Sequence, residues 1–309
     1  MAEAGDRVGA SQWDPGRVSR ASRLSALARL VRIEHTLFSL PFAYAGAVLT
    51  CPRCLGAREA VLIALAVLGL RTAAMAFNNI ADLDIDRLNP RTRMRPLVTG
   101  AVSLRDAWLL VAVGSLLYLA AAALLNRWAL ILSPLPWLAA MSYPYAKRLH
   151  WLPQLHLGLV LGLVVFGGAV AVEGGAGSLW EALRGVPWLY VAAVALWVAG
   201  FDAYYSILDL EFDRSMGLGS IAARLGERGA LLASRLLHAA AAALFAASIP
   251  VYHLGPLAAA GVAAAVALLA YQHLLLARGG RSAIPRAFNV NLYLGVVVSV
   301  GVIADRLLG

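Results

Sequence analysis

The sequence predicts an all-α, polytopic membrane protein with about nine spans, and three observations predict it. First, 61% of the 309 residues are hydrophobic and only 14% are charged, with a mean hydropathy of +0.74. A soluble domain is about half apolar and about a quarter charged. Second, apolar runs of about 20 residues, the length needed to cross the hydrocarbon layer as a helix, recur along the chain. Third, these runs lack a period-2 alternation of polar and apolar positions. In lipid only a helix or a closed barrel satisfies its own backbone polar groups, so helices are selected.

In order, the spans fall at 30–50, 59–80, 105–125, 130–146, 152–172, 187–207, 231–251, 257–276 and 287–304. Residues 1–23 are polar, lack the apolar core of a signal peptide, and are read as a cytoplasmic tail. Residues 24–309 form one transmembrane domain. Nine spans put the termini on opposite sides. Arg and Lys fix the orientation, because they concentrate on cytoplasmic connections. The tail and the 2–3, 4–5, 6–7 and 8–9 connections carry 20 of the 26. The opposite face carries Arg53, Arg58, Arg127, Arg184 and Arg306, and Arg71 lies inside span 2. The cytoplasmic face is therefore the one holding the N-terminus. The same distribution explains the net charge of +9 without nucleic acid as a partner.

On the other face, Cys51 and Cys54 could form a redox pair or half a metal site. No second pair and no nearby His supports a functional role. The longest connection there is Glu173–Val186, rich in Gly, with room for a surface helix. An Asp-rich segment closes span 2 and another closes span 6, which suggests two similar four-helix halves plus one extra helix.

Those two segments hold seven of the 17 acidic residues. In the first, Asn78, Asp82 and Asp86 stand at i, i+4 and i+8, one stripe if the helix continues; Asp84 lies between. In the second, Asp202 and Asp209 are two turns apart, Asp213 is one turn further, and Glu211 lies between. Carboxylates stacked a turn apart repel, and burial raises their pKa. A hard divalent cation with oxygen ligands would offset this. Mg²⁺ uses few protein carboxylates and takes its other ligands from water and phosphates. Two facing stripes would hold ions that clamp a diphosphate.

The neighbouring bases suit an anion. Arg91, Arg93 and Arg95 follow the first stripe, and Arg makes bidentate contacts to phosphate oxygens. Lys147 is the only lysine in the chain and lies on the same face. Arg71, seven residues before Asn78, is costly within a span and should face the interior, in a salt bridge or on an anionic substrate group. Glu34 and His35 enter span 1 near the same face and are read as structural or interfacial.

These residues resemble the UbiA superfamily of intramembrane prenyltransferases. The family pattern is Asn-x-x-x-Asp-x-x-x-Asp, then Tyr-x-x-x-Lys, then Asp-x-x-x-Asp. It is matched by Asn78/Asp82/Asp86, Tyr143/Lys147 and Asp209/Asp213. Arg91, Thr92, Arg95 and Pro96 match the Arg-Thr-x-x-x-Pro that follows the first motif. Asp202, Tyr205, Asp209 and Asp213 match the longer second motif. The first helix and the region after Trp197 look most like the 4-hydroxybenzoate polyprenyltransferase branch. Asn79, where many of that branch carry Asp, is a departure that bears on the acceptor. The resemblance covers residues 29–309. It implies helices round a central cavity, an apolar tunnel for the isoprenoid, and a Mg²⁺–diphosphate site at the cytoplasmic mouth.

The expected activity is transfer of an isoprenyl chain from a prenyl diphosphate to an aromatic acceptor such as 4-hydroxybenzoate, in quinone or related lipid biosynthesis. Asn78, Asp82, Asp86, Asp209 and Asp213 would hold Mg²⁺, while Arg91, Arg95 and Lys147 would bind phosphate. Asp202 would orient the acceptor or steady its charge. Tyr143 and Tyr205 would face the allylic cation, and Arg71 would hold an acceptor carboxylate. A naphthoate, glyceryl phosphate or tetrapyrrole acceptor is the alternative. A cation transporter would share the carboxylates but would not surround them with Arg91, Arg95 and Lys147. A phosphotransferase acting on a nucleotide-linked alcohol would need an Asp-Gly-x-x-Ala-Arg signature, missing around these clusters.

Overall fold

The computed structural model describes residues 20–31 and 34–309, with side chains from residues 25–31 and 39–309. The tail expected over 1–23 lies outside the described residues as far as residue 19, as do the side chains of Glu34 and His35. Among the described residues there are helices and no strands. A short helix α1 (Arg20–Val31) precedes α2 (Glu34–Thr50), α3 (Ala57–Ala81), α4 (Leu83–Leu88) and α5 (Leu104–Leu125). Next come α6 (Arg127–Leu132), α7 (Pro134–Leu149), α8 (Pro153–Ala171), α9 (Leu179–Arg184) and α10 (Trp188–Tyr205). The chain ends with α11 (Leu210–Ser215), α12 (Ile221–Val251), α13 (Pro256–Gly279) and α14 (Ile284–Leu308).

Nine of these, α2, α3, α5, α7, α8, α10, α12, α13 and α14, are long elements of 16 residues or more and follow the nine expected spans. Six stretches among the described residues are long and apolar enough to cross a membrane, one of them, Pro256–Leu308, holding both α13 and α14. The surface helix expected in the 5–6 connection is α9, capped by the Ser178 hydroxyl, which accepts from the Glu181 N–H.

Helix edges differ from the expected spans where polar caps and glycines intervene. Span 4 is divided. Asn126 caps α6 by accepting from the N–H of Trp128 and Ala129, and Pro134 then opens α7. Helix α12 begins ten residues before the expected 231 but is broken at Gly226, whose φ of 72° is a backbone state open to glycine.

In lipid, helices associate through close packing at small residues rather than through the hydrophobic effect. Helix α3 crosses α5 at Gly69 and Gly114, where a Cβ on either would stand 2.6–2.7 Å from the other's carbonyl oxygen. Helix α2 locks to α8 the same way: a Cβ at Gly46 would overlap the Val165 carbonyl, and one at Gly168 the Ala43 carbonyl. Helix α3 packs on α5 and α10 on α12, the pairs that flank the two Asp-rich segments. Helix α14 packs on α13, α2 and α10.

The second half of the bundle contains a buried polar cluster. Trp197 Nε1 donates to Asn291 Oδ1 (2.8 Å) and Tyr204 Oη to Gln272 Oε1 (2.9 Å). Gln272 Nε2 donates to Asn291 Oδ1 (3.2 Å), and Asn291 Nδ2 to Tyr204 Oη (2.9 Å). Each group so removed from water or headgroups finds a partner, which fixes α10, α13 and α14 in register. Cys51 and Cys54 form a disulfide with each other, at the end of the bundle remote from both Asp-rich segments.

Candidate active site

Helix α3 ends at Ala81 and α4 begins at Leu83, so the stripe is not on one unbroken helix. Asp82, at φ −96° and ψ 5°, is the joint. The hydrogen bonds nevertheless run through it: the N–H of Asp82 reaches Asn78 O (3.0 Å) and that of Asp86 reaches Asp82 O (2.7 Å). The i, i+4, i+8 spacing therefore still aims the three side chains one way. In the second segment α10 gives way to a 3₁₀ turn, Ser206–Asp209, and then α11. Asp202, Asp209 and Asp213 lie on three successive elements.

All three elements open on one cavity of about 460 Å³. Asn78, Asp82, Asp86, Asp202, Asp209, Asp213, Arg71, Arg91, Arg95, Tyr143, Lys147 and Tyr205 all line it. Arg93 does not; it is exposed, as expected of a positive-inside residue. Asp84 also turns out to solvent, where it accepts from both Arg148 amino groups (2.9 and 3.3 Å). That hydrogen bond holds its carboxyl below the ordinary range.

The carboxylates of one row are held by cations that follow it or belong to the other elements. Lys147 Nζ lies 2.8 Å from Asp82 Oδ2, and Arg95 NH1 lies 2.5 Å from Asp86 Oδ2. Arg91 forks onto Asp209, with Nε 2.9 Å from Oδ1 and NH2 2.5 Å from Oδ2. Asn89 adds a third donor to Asp209 Oδ1 (3.1 Å). Asn89 and Arg91, from the first segment, thus tie it to the second across the mouth. Arg91 also stacks over the Tyr205 ring, 5.6 Å from its centre, and Tyr205 packs on Phe288 (4.6 Å). Deeper, Arg71 NH1 donates to the Ser39 hydroxyl (3.0 Å).

Asp82 is only 4% exposed. Burial raises its carboxyl above the ordinary range, with Lys147 pulling it back. Its Oδ1 is buried and accepts no hydrogen bond among the described residues; the Arg148 guanidinium stands 3.9 Å away. A buried, unsatisfied carboxylate oxygen facing a cavity is a ready ligand for a hard cation. Among the described residues no three His, Cys, Asp or Glu side chains converge as a ready-made metal cage.

Below Arg71 the lining changes. Ile63, Ala66 and Val67 of α3, Ala122 and Leu125 of α5, and Val164 of α8 make an apolar wall. The cavity is charged at one end and greasy at the other, which fits an amphiphile with an anionic head. Sequence reasoning passed over several groups here. Arg148 looked like a topogenic base, and Asn89 like a loop residue. Ser39, Phe288 and Asn291 sat within apolar runs that hid their cavity-facing positions.

The model of the UbiA prenyltransferase family matches residues 39–295. The chain belongs to the UbiA prenyltransferase family. It is an enzyme of the prenyltransferase class, as the resemblance implied. A 4-hydroxybenzoate octaprenyltransferase of Alkalilimnicola ehrlichii is 33% identical over 249 residues, 81% of this chain and 82% of its relative. The apo structure of a UbiA homolog from Aeropyrum pernix K1 is 59% identical, with a TM-score of 0.84, covering 89% of this chain and 98% of that one. A UbiA homolog from Archaeoglobus fulgidus, bound to GPP and Mg²⁺, shares the fold at 23% identity and a TM-score of 0.68, covering 90% and 99%.

Proposed function

We propose that this prenyltransferase moves an isoprenyl chain from a prenyl diphosphate to an aromatic acceptor such as 4-hydroxybenzoate, using Mg²⁺ at the cytoplasmic mouth of its cavity. One observation carries the reading. Two facing rows of carboxylates, interleaved with Lys147, Arg91 and Arg95, close the polar end of an otherwise apolar cavity. The name of the A. ehrlichii relative supports the acceptor, and the A. fulgidus structure with GPP and Mg²⁺ supports the donor and the metal.

Asn78, Asp82, Asp86, Asp209 and Asp213 hold the metal in this reading. When bound, Mg²⁺ draws negative charge from the diphosphate and makes it a better leaving group. The chain's own cations do the rest. Lys147, Arg95 and Arg91 pair with Asp82, Asp86 and Asp209. With a divalent cation held by the carboxylates, these three side chains would be available to the phosphate oxygens. The allylic C–O bond then breaks with its electron pair leaving on the diphosphate. Tyr143 and Tyr205 present ring faces and hydroxyls to the allylic cation. The acceptor ring carbon forms the new C–C bond and its ring proton passes to the released diphosphate, with Asp202 placed to steady the charge. Arg71, two helical turns below Asn78 or about 10 Å, holds the acceptor carboxylate. Residues 24–309 act as one domain in this scheme, with the preceding tail in the cytoplasm.

The test uses purified protein with a panel of aromatic acceptors and geranylgeranyl diphosphate. Asp82→Ala and Asp209→Ala abolish turnover while the protein still folds. Substantial remaining activity in folded variants refutes the metal role. Activity only with a glyceryl phosphate or tetrapyrrole refutes the acceptor.

A further inference from the structure

We infer that Gly167 of α8 is a specificity residue, the gauge that limits how long an isoprenyl chain the cavity admits. The inference rests on the prenyl diphosphate reading above and names the part of the cavity that reads chain length.

The glycines of α8 divide into two kinds. Gly158 and Gly162 stand where a Cβ would meet Ala195 or Val191 of α10, and Gly168 where it would overlap Ala43 of α2. Packing demands glycine at all three. Gly167 differs: a Cβ built there finds nothing within 4 Å. Its backbone is α-helical, so no left-handed conformation requires glycine either. Glycine inside a helix costs about 0.5–1 kcal/mol relative to alanine. The structural consequence of this residue is the space it leaves, and that space belongs to the cavity, which Gly167 lines.

Its depth makes the space selective. Gln154 lines the cavity at the mouth and accepts from the Ile221 N–H (3.3 Å). From Gln154 to Gly167 is roughly 20 Å of helix at 1.5 Å per residue. The carboxylates that would hold the diphosphate lie at the upper level. Tyr118 and Ala122 of α5 line the same cavity. Tyr118 is fixed there by its hydroxyl, which donates to Ser133 O (3.0 Å). A short prenyl tail ends above this level. A long one passes through it, along the bare backbone of α8.

The experiment compares geranyl diphosphate with the longest prenyl diphosphate that the wild type turns over, in Gly167→Ala, Gly167→Leu and Gly167→Phe. The two bulky variants should lower kcat/KM for the long donor by about tenfold or more, the discrimination that a few misplaced carbons produce in an apolar site. The bulky variants should use geranyl diphosphate as before, Gly167→Ala should lose less on the long donor than they do, and no variant should melt below the wild type. An equal loss on both donors overturns the inference, as does no loss on the long one. Failure of both bulky variants to fold overturns it too, since the position would not be open. A wild type that uses every donor length but shows no change in these variants sinks the gauge alone. A wild type that takes no prenyl diphosphate sinks the proposed function and the gauge with it.

Discussion

Replacing Lys147 by Met separates the two tasks assigned to that lysine. In the structure Lys147 Nζ sits 2.8 Å from Asp82 Oδ2, with side-chain exposures of 25% and 6%. Once the ammonium is gone, Asp82 retains a long contact from Asn78 Nδ2 (3.4 Å), the distant Arg148 and the charge of Arg95. Removing one partner of a fully buried pair costs about 3–5 kcal/mol. Partial exposure of the lysine screens the pair, so about 2 kcal/mol is expected here. Lowering the pH should relieve the loss. Asp82 titrates above the ordinary carboxylate range because of burial, so the penalty is complete above its folded pKa and fades as the group protonates. Asp82→Asn combined with Lys147→Met should recover most of the stability at neutral pH, because no buried charge is left unmatched. Turnover should not recover, because the residues proposed to bind phosphate and metal are both replaced. Thermal melts in detergent and a radiolabelled transfer assay on the three variants read both quantities. A Lys147→Met protein with wild-type stability and turnover refutes the reasoning, and so does a double variant that regains activity.

The packing and topology readings can be checked in parallel. Gly168→Ala presses a methyl into the Ala43 carbonyl and should cost about 1–3 kcal/mol by overpacking, read as a lower melting temperature. Asn291→Leu strips partners from Trp197, Gln272 and Tyr204 and should cost about 1–2 kcal/mol, the scale of polar contacts between membrane helices. Wild-type stability in that variant would show that the cluster contributes nothing. Reduction followed by a membrane-impermeant maleimide should label Cys51 and Cys54 from outside in right-side-out vesicles; labelling only after permeabilisation means the orientation is reversed.

The helices were legible because lipid imposes a simple demand: long apolar runs with satisfied backbones. Spacing also exposed the site. Asn78, Asp82 and Asp86 read as a stripe, and they remain one although the α-helix stops at Ala81, since hydrogen bonds four residues apart continue through the joint. The break itself was hidden, because Asp82 supplies no breaker signal of the kind Gly or Pro gives. The division of span 4 was partly readable in Asn126 and Pro134, a cap and a helix opener. Pairing was beyond the sequence. Nothing local says that Arg91 forks onto Asp209, more than a hundred residues away, or that Arg148 joins Asp84. Such contacts follow from how α4, α7 and α11 meet at the mouth. The glycines of α8 look alike in sequence, and only their neighbours divide those that packing requires from the one that leaves room.

The cavity runs along much of α3, from Asp86 beyond its end down to Ile63 near its start, a path close to the bilayer's full thickness. A water-filled passage of that depth would short-circuit the membrane potential. Among the described residues, its lower portion carries no ionisable lining side chain below Arg71 other than the Tyr118 phenol, and Asn126 Nδ2 stitches the floor by donating to Val170 O and Ala171 O (2.9 Å each). A dewetted, apolar stretch is an energetic barrier to permeating ions. In the proposed reading the greasy part of the chamber would double as electrical insulation, keeping a highly charged reaction at one surface from opening a leak across the bilayer.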